Sequence, residues 1–180
     1  MYGAAKRSVR SFAFLSTFVL VAFLFVPAAF AADLSQTHTM KNGVSFKYPS
    51  GWTPMESQQG PVVSVSLVNP TQPTTAITVS VGEGVPADSA PVDEESVKAQ
   101  LAATGQNIEL LAFKKVTLAG KDATLTEYSA EVAGTAMRTR SVMIQDGTSV
   151  VAVTSVYMDK TKMAEDRRIS EAIEKSLTLK

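Results

Sequence analysis

Cysteine is absent from the 180 residues. That removes disulfides and thiolate chemistry and rules out a lipid-anchored N-terminal cysteine, so the fold must be held by packing. Histidine and tryptophan occur once each, as His38 and Trp52. A catalytic histidine would need a nucleophile and an orienting acid in a recognisable pattern, and no GxSxG, HExxH or SxxK motif is present. His38, flanked by Thr37 and Thr39, therefore reads as an ordinary strand or surface histidine. An excess of charge of one sign is missing too, since 17 Lys and Arg balance 17 Asp and Glu. Without a basic stripe to track phosphates, a nucleic-acid role is disfavoured. Gly82-Glu83-Gly84 starts no GxGxxG fingerprint and runs into a proline-bearing loop, so it reads as a connector.

One long apolar run stands out. Lys6, Arg7 and Arg10, with no acid among the first ten residues, precede the apolar Phe12 to Val26. This is a positive n-region before an h-region, too short to be a spanning helix of about 20 residues unless Pro27 is crossed. Ala29-Phe30-Ala31 supplies the small side chains that a signal peptidase accepts. The expectation is a signal peptide over 1–31 and a single domain over 32–180, roughly 149 residues, a size that buries a real core. An uncleaved N-terminal anchor is the alternative. Either way the folded part is exported, periplasmic or extracellular, with no stable membrane span once the signal is cleaved. Loss of the three basic residues leaves 14 Lys and Arg against 17 Asp and Glu, a formal charge of −3.

Beyond the signal the pattern has mostly period two. Asn42-Gly43, between Thr37 to Lys41 and the alternating Val44, Phe46 and Tyr48, predicts a hairpin. Pro49-Ser50-Gly51-Trp52 turns the chain, and Glu56 to Gly60 reads as a polar connection. Two strands follow, on Val63, Val65, Leu67 and on Ile77, Val79, Val81, joined by the turn Asn69 to Thr74. Gly82 to Pro91 is the least ordered stretch. A helix comes next, with Pro91 near its first turn, Asp93, Glu94 and Glu95 at its positive end, Gly105 past its close, and a narrow stripe on Val97 and Leu101.

From Ile108 to Met158 the turns Ala119-Gly120, Ala133-Gly134 and Asp146-Gly147 separate four strands of an antiparallel meander. Val150 to Met158, apolar on both faces, is expected to be a central strand covered from both sides. Thr161 would cap a closing helix whose stripe is Ile169, Ala172, Ile173 and Leu177, with Glu171 pairing Lys175. The fold class is α+β: an antiparallel sheet of about six to eight strands with helices on its faces.

The stretch Gly43 to Trp52, GVSFKYPSGW, resembles the opening signature of the PsbP family, the lumenal extrinsic proteins of photosystem II, and of related exported bacterial proteins. In that family a hairpin leads into an aromatic strand ending in Pro and Trp, followed by an antiparallel sheet between helices. The resemblance implies a PsbP-like α/β/α sandwich over nearly the whole mature chain. It implies little about activity, because this fold hosts extrinsic subunits, assembly factors and envelope proteins. Some members hold metal ions through His and carboxylates, but His38 has nothing at ligand spacing beside it, so no metal or other cofactor is carried over.

Trp52, after a turn, is either a partner-contact residue or a plug of the core, and the family pattern favours the plug. If Ala133-Gly134 is a two-residue turn, Glu127 faces Arg140 and Glu131 lies diagonal to Arg138, as register-setting ion pairs. Asp88, Asp93, Glu94 and Glu95 lack the spacing of a calcium loop and suit a helix start. Met137, Met143, Met158 and Met163 could line an adaptable apolar pocket. The expected function is a non-catalytic binding or assembly-accessory module of the cell envelope, with an envelope protein or complex as partner. The alternative is a carrier of a small apolar ligand between sheet and helix. An enzyme built from carboxylates with Tyr128 or Tyr157 is the third class, and nothing in the sequence selects it.

Overall fold

The computed structural model describes residues 33–71, 74–86, 93–104, 106–132, 134–158 and 163–180. The signal segment 1–31, together with Asp88, Pro91, Gly105, Ala133 and Thr161, lies outside the described residues. No helix among the described residues is long and apolar enough to cross a membrane.

Strands β1 (Gln36–Thr39) and β2 (Ser45–Tyr48) form the expected hairpin, His38 opposite Phe46. Its turn closes through Met40 N–H to the Val44 carbonyl at 2.8 Å and Gly43 N–H to the Met40 carbonyl at 2.9 Å. Gly43 has φ +88° and takes a left-handed backbone that a side chain resists. A Cβ there would also lie 2.6 Å from the Lys180 side chain. The C-terminal tail returns to this hairpin, where Thr178 and Ser45 exchange backbone hydrogen bonds of 2.8 and 3.0 Å.

The large sheet contains β3 (Thr53–Gln59), β4 (Val62–Val68), β5 (Thr75–Gly82), β6 (Ile108–Leu118), β7 (Lys121–Val132), β8 (Thr135–Asp146) and β9 (Ser149–Tyr157). Its order is β3-β4-β5-β9-β8-β7-β6, antiparallel throughout. Two meanders, β3 to β5 and β6 to β9, therefore meet at the β5–β9 ladder. The polar stretch 56–60 corrects the sequence reading, because most of it belongs to β3. As an edge strand with nearly every residue exposed, β3 needs no apolar alternation, which is the signal the reading depended on. The last strand, β9, is central as expected, but its two faces differ. Val151, Val153, Ser155 and Tyr157 are buried, while Val150, Ala152, Thr154 and Val156 are only half-buried.

Helix α1 (Glu94–Ala103) starts at Asp93, whose carboxylate accepts from the Ser96 N–H at 2.8 Å and the Ser96 hydroxyl at 2.7 Å. These bonds, the backbone one first, hold the Asp93 carboxyl below the usual carboxylate range. Glu94 pairs with Lys98 at 2.7 Å. Val85 and Pro86 lie against the half-buried sheet face, where the Val85 N–H reaches the Thr148 carbonyl at 2.9 Å and Gln145 reaches the Pro86 carbonyl at 3.4 Å. This face is lined with hydroxyls paired across strands: Ser64 with Ser80 at 2.9 Å, Ser66 with Thr78 at 3.2 Å, Ser141 with Thr154 at 3.0 Å.

The opposite face carries the core. Val65, Leu67, Ile77, Val79, Val153, Val142 and Ile144 pack there against Met40, Val44 and Phe46 of the hairpin region, Trp52, and helix α2 (Met163–Ser176). Ile173 and Leu177 enter this core as expected, and Ile169 is partly buried against it. The two helices thus flank the sheet in an α/β/α sandwich. One expected pair differs: Glu171 bonds Arg167 at 2.9 Å, one turn earlier, in place of Lys175. Arg167 is held there by Glu127 of the sheet as well, at 3.2 Å.

Candidate functional site

Core-facing positions of a sheet are ordinarily apolar, because an unpaired buried charge costs several kcal/mol. Where β7, β8 and β9 pass under α2, that rule changes. Glu127 of β7 lies opposite Arg140 of β8, which lies opposite Ser155 of β9. Arg140 is 6% exposed and Glu127 5%. The register expected from the Ala133-Gly134 turn is therefore present, with Glu131 opposite Ala136 and diagonal to Arg138. The expected register-setting pair, Glu127 and Arg140, is also the floor of a buried network.

Helix α2 supplies its roof. Asp166, Ser170 and Glu174, spaced one turn apart, are all buried on the sheet-facing side. Arg140 donates to both oxygens of Glu174, at 3.1 and 2.9 Å, and reaches Glu127 at 3.5 Å. Glu127 also meets Arg167 at 3.2 Å and Arg138 at 3.5 Å. Ser155 hydrogen-bonds Ser170, the Ser170 hydroxyl reaches Glu174 at 3.4 Å, and Thr75 donates to Asp166. Three guanidinium groups (Arg138, Arg140, Arg167) are thus set against three carboxylates (Glu127, Glu171, Glu174). Burial opposes the charge of Arg140, but the hydrogen bonds and charge of Glu174, with Glu127 and Glu171 behind it, outweigh that and raise its pKa. Burial raises the pKa of the Tyr157 phenol. The Ser170 and Ser155 hydroxyls temper the rise, although neither is aligned into a hydrogen bond with it.

Beyond the start of α2 no described residue covers the sheet, and a cleft of about 580 Å³ opens there. It is lined by Glu109 and Leu111 of β6, Ser129 and Glu131 of β7, Arg138 of β8, and Met163 of α2, among others. Glu109, Ser129 and Arg138 form one row across three strands. Between Leu110 and Ala112 the β6–β7 register slips, and Leu111, left without a partner, is 39% exposed. Arg138 borders both regions. One of its nitrogens reaches Glu127, another lies 3.8 Å from the Met163 sulfur, and its Nε meets no hydrogen-bond partner.

The other sequence candidates lie elsewhere. Trp52 is 8% exposed and sits in the core cluster. His38 stacks on Phe46 with centroids 5.6 Å apart and approaches Glu56 at 3.8 Å. Tyr128 lies on the sheet face opposite the network, paired with Thr139. Among the methionines, Met137 and Met163 line the cleft, Met143 lies under Val85 on the other face, and Met158 is 42% exposed. Asp93 and Glu94 serve the start of α1, and Gly82 ends β5. No group of three or more His, Asp or Glu suited to a metal ion is found among the described residues.

Apolar periodicity missed Thr75, Asp166, Arg167, Ser170 and Glu174. A signal was available. Positions 127, 138 and 140 share their sheet face with the apolar Leu125 and Val142, and charges at such inward positions require partners from the covering element. The Asp166, Ser170, Glu174 stripe beside Ile169 and Ile173 is that partner.

No protein-family model and no curated protein matches the sequence. Solved structures do. PsbP (CyanoP) from the cyanobacterium Synechocystis sp. PCC 6803 superposes with a TM-score of 0.61 at 15% identity, covering 81% of this chain and 92% of that one. The Saccharomyces cerevisiae Ran-binding protein Mog1p gives 0.54 at 10%, covering 78% and 91%. LpqN of Mycobacterium tuberculosis, described as involved in cell envelope biogenesis, gives 0.50 at 16%, covering 79% and 90%. With its two-stranded hairpin, seven-stranded antiparallel sheet and flanking helices, this chain has the PsbP-like fold.

Proposed function

We propose that the chain is an exported, non-catalytic binding or assembly-accessory module of the cell envelope, acting through another envelope protein. The observation that carries this reading is the contrast between the two polar regions of the sheet. Beneath α2 the charged groups are paired with one another, with Glu127, Arg140 and Glu174 buried, whereas a catalytic site aims its titratable groups at a space a substrate can enter. The cleft beside the network is open and bordered by the exposed Leu111, and among the described residues its one hydroxyl, Ser129, is hydrogen-bonded to no carboxylate. Such a surface suits contact with a partner better than chemistry. Mog1p, named as Ran-binding, and LpqN, tied to envelope biogenesis, are examples of the same fold in such roles.

The test is in-situ crosslinking of the C-terminally tagged chain in its native cell, with mass spectrometry of the captured proteins and of the tagged chain's own N-terminus. One recurrent envelope partner and a cleaved N-terminus are expected. Repeated recovery of background alone would remove the reading. Met163 at the cleft favours the carrier of a small apolar ligand as second reading. Organic extraction of native protein that yields a stoichiometric apolar molecule would put that reading first.

A further inference from the structure

We infer that the cleft at the β6–β7–β8 end of the sheet is the docking surface, and that it takes a partner segment carrying a basic side chain beside an apolar one. This rests on the accessory-module reading and gives it a location and a chemistry. Charge accounting carries the first half. In the network three arginines face Glu127, Glu171 and Glu174, with Asp166 a fourth carboxylate beside them, so the charge of Arg138 is already matched by Glu127. Glu109 and Glu131, also lining the cleft, are exposed and make no ion pair among the described residues. The described lining has no lysine, and its one guanidinium, Arg138, is engaged. Among the described residues the cleft therefore presents uncompensated negative charge, and a partner cation gains electrostatic steering and register there.

The bulge carries the second half. A regular β6–β7 ladder would pair every residue, but the slip between Leu110 and Ala112 leaves Leu111 unpaired and exposed at the cleft wall. Bulges re-aim side chains in this way next to binding sites, and a large aliphatic group held in water on a strand is stabilised by being covered. Met163 faces it from the start of α2, and its thioether adapts to varied apolar shapes. At about 580 Å³ the space suits a few side chains of a partner segment and no folded element.

The experiment measures binding of three labelled peptides of equal length to the chain by fluorescence anisotropy: alternating Lys-Leu, Glu-Leu and Lys-Ser. Lys-Leu should bind best and weaken with added salt. The double variant Glu109→Gln/Glu131→Gln should lose about fivefold in affinity for it, and Leu111→Ser should lose affinity independently. Equal binding of Glu-Leu, or affinity untouched by both variants, overturns the inference. These side chains hold no described hydrogen bond, so unchanged circular dichroism of the variants is expected. A photo-crosslinking residue placed in the native cell at Leu111, and separately at the distant exposed Met55, separates the two levels. An envelope protein captured at Met55 but never at Leu111 overturns the cleft and leaves the accessory role standing. No capture at either position, nor with the tagged chain, removes the role itself.

Discussion

Arg140→Met should be among the most damaging single substitutions in this chain, for a reason that a second substitution can reverse. The methionine fills much of the same space, so lost packing is small. What remains is Glu174, buried and stripped of the two guanidinium bonds at 2.9 and 3.1 Å, with no other cation at ion-pair distance among the described residues. Glu127 keeps Arg138 and Arg167. Removing one partner of a buried pair costs about 3–5 kcal/mol. Because only one carboxylate is orphaned, the expected loss is near the lower end, about 3 kcal/mol. Against a total stability of roughly 5–15 kcal/mol, the midpoint of urea unfolding should fall by about 1.5 M. Adding Glu174→Leu removes the orphan, so the double variant should recover to within about 1 kcal/mol of the parent. Two results would refute the reasoning: a single variant as stable as the parent, or a double variant less stable than Arg140→Met.

Tyr157→Phe deletes a buried hydroxyl without a hydrogen-bond partner, so stability at neutral pH should be unchanged or rise by up to about 1 kcal/mol. Because burial raises the folded-state pKa of Tyr157, its contribution is fully present below the unfolded value of 10.0 and is lost as pH rises through the raised folded value. Unfolding followed from pH 9 upward should show that decline in the parent and a shallower one in Tyr157→Phe. Asp93→Ala should speed hydrogen exchange at the Ser96 amide, and acidification below 3.8, through the lowered folded pKa of Asp93, should do the same in the parent. Trp52, the single tryptophan, should emit at short wavelength and resist iodide quenching, and Trp52→Ala should cost about 3–5 kcal/mol in denaturant unfolding. Long-wavelength emission would place Trp52 outside the core.

Period two and turn chemistry made most of the sheet legible before any coordinates. Asn42-Gly43, Ala119-Gly120 and Asp146-Gly147 all mark observed turns, and the apolar Val150 to Met158 stretch did identify the central strand. β3 escaped because an edge strand exposed on nearly every residue leaves no hydrophobic trace. The candidate site was legible by half. Turn geometry put Glu127 opposite Arg140, but nothing local says that this pair faces inward or that Glu174, 34 residues after Arg140, completes it. That depends on which face α2 covers, a tertiary fact to which only the misplaced polarity of residues 127, 138 and 140 pointed.

The order in which the strands are arranged bears on how this chain reaches its folded state. Every ladder of the large sheet joins consecutive strands except β5–β9, which brings Thr75–Gly82 to Val150–Tyr157. Hairpins form locally and fast, whereas this closure must wait for two separately built halves to find each other across a long chain segment. Until then each half ends in a bare, strongly apolar margin, Ile77 to Val81 on one side and Val150 to Val153 on the other, well suited to mispairing with another copy. Substitutions along this seam should act on refolding rate and on yield before they act on the finished fold.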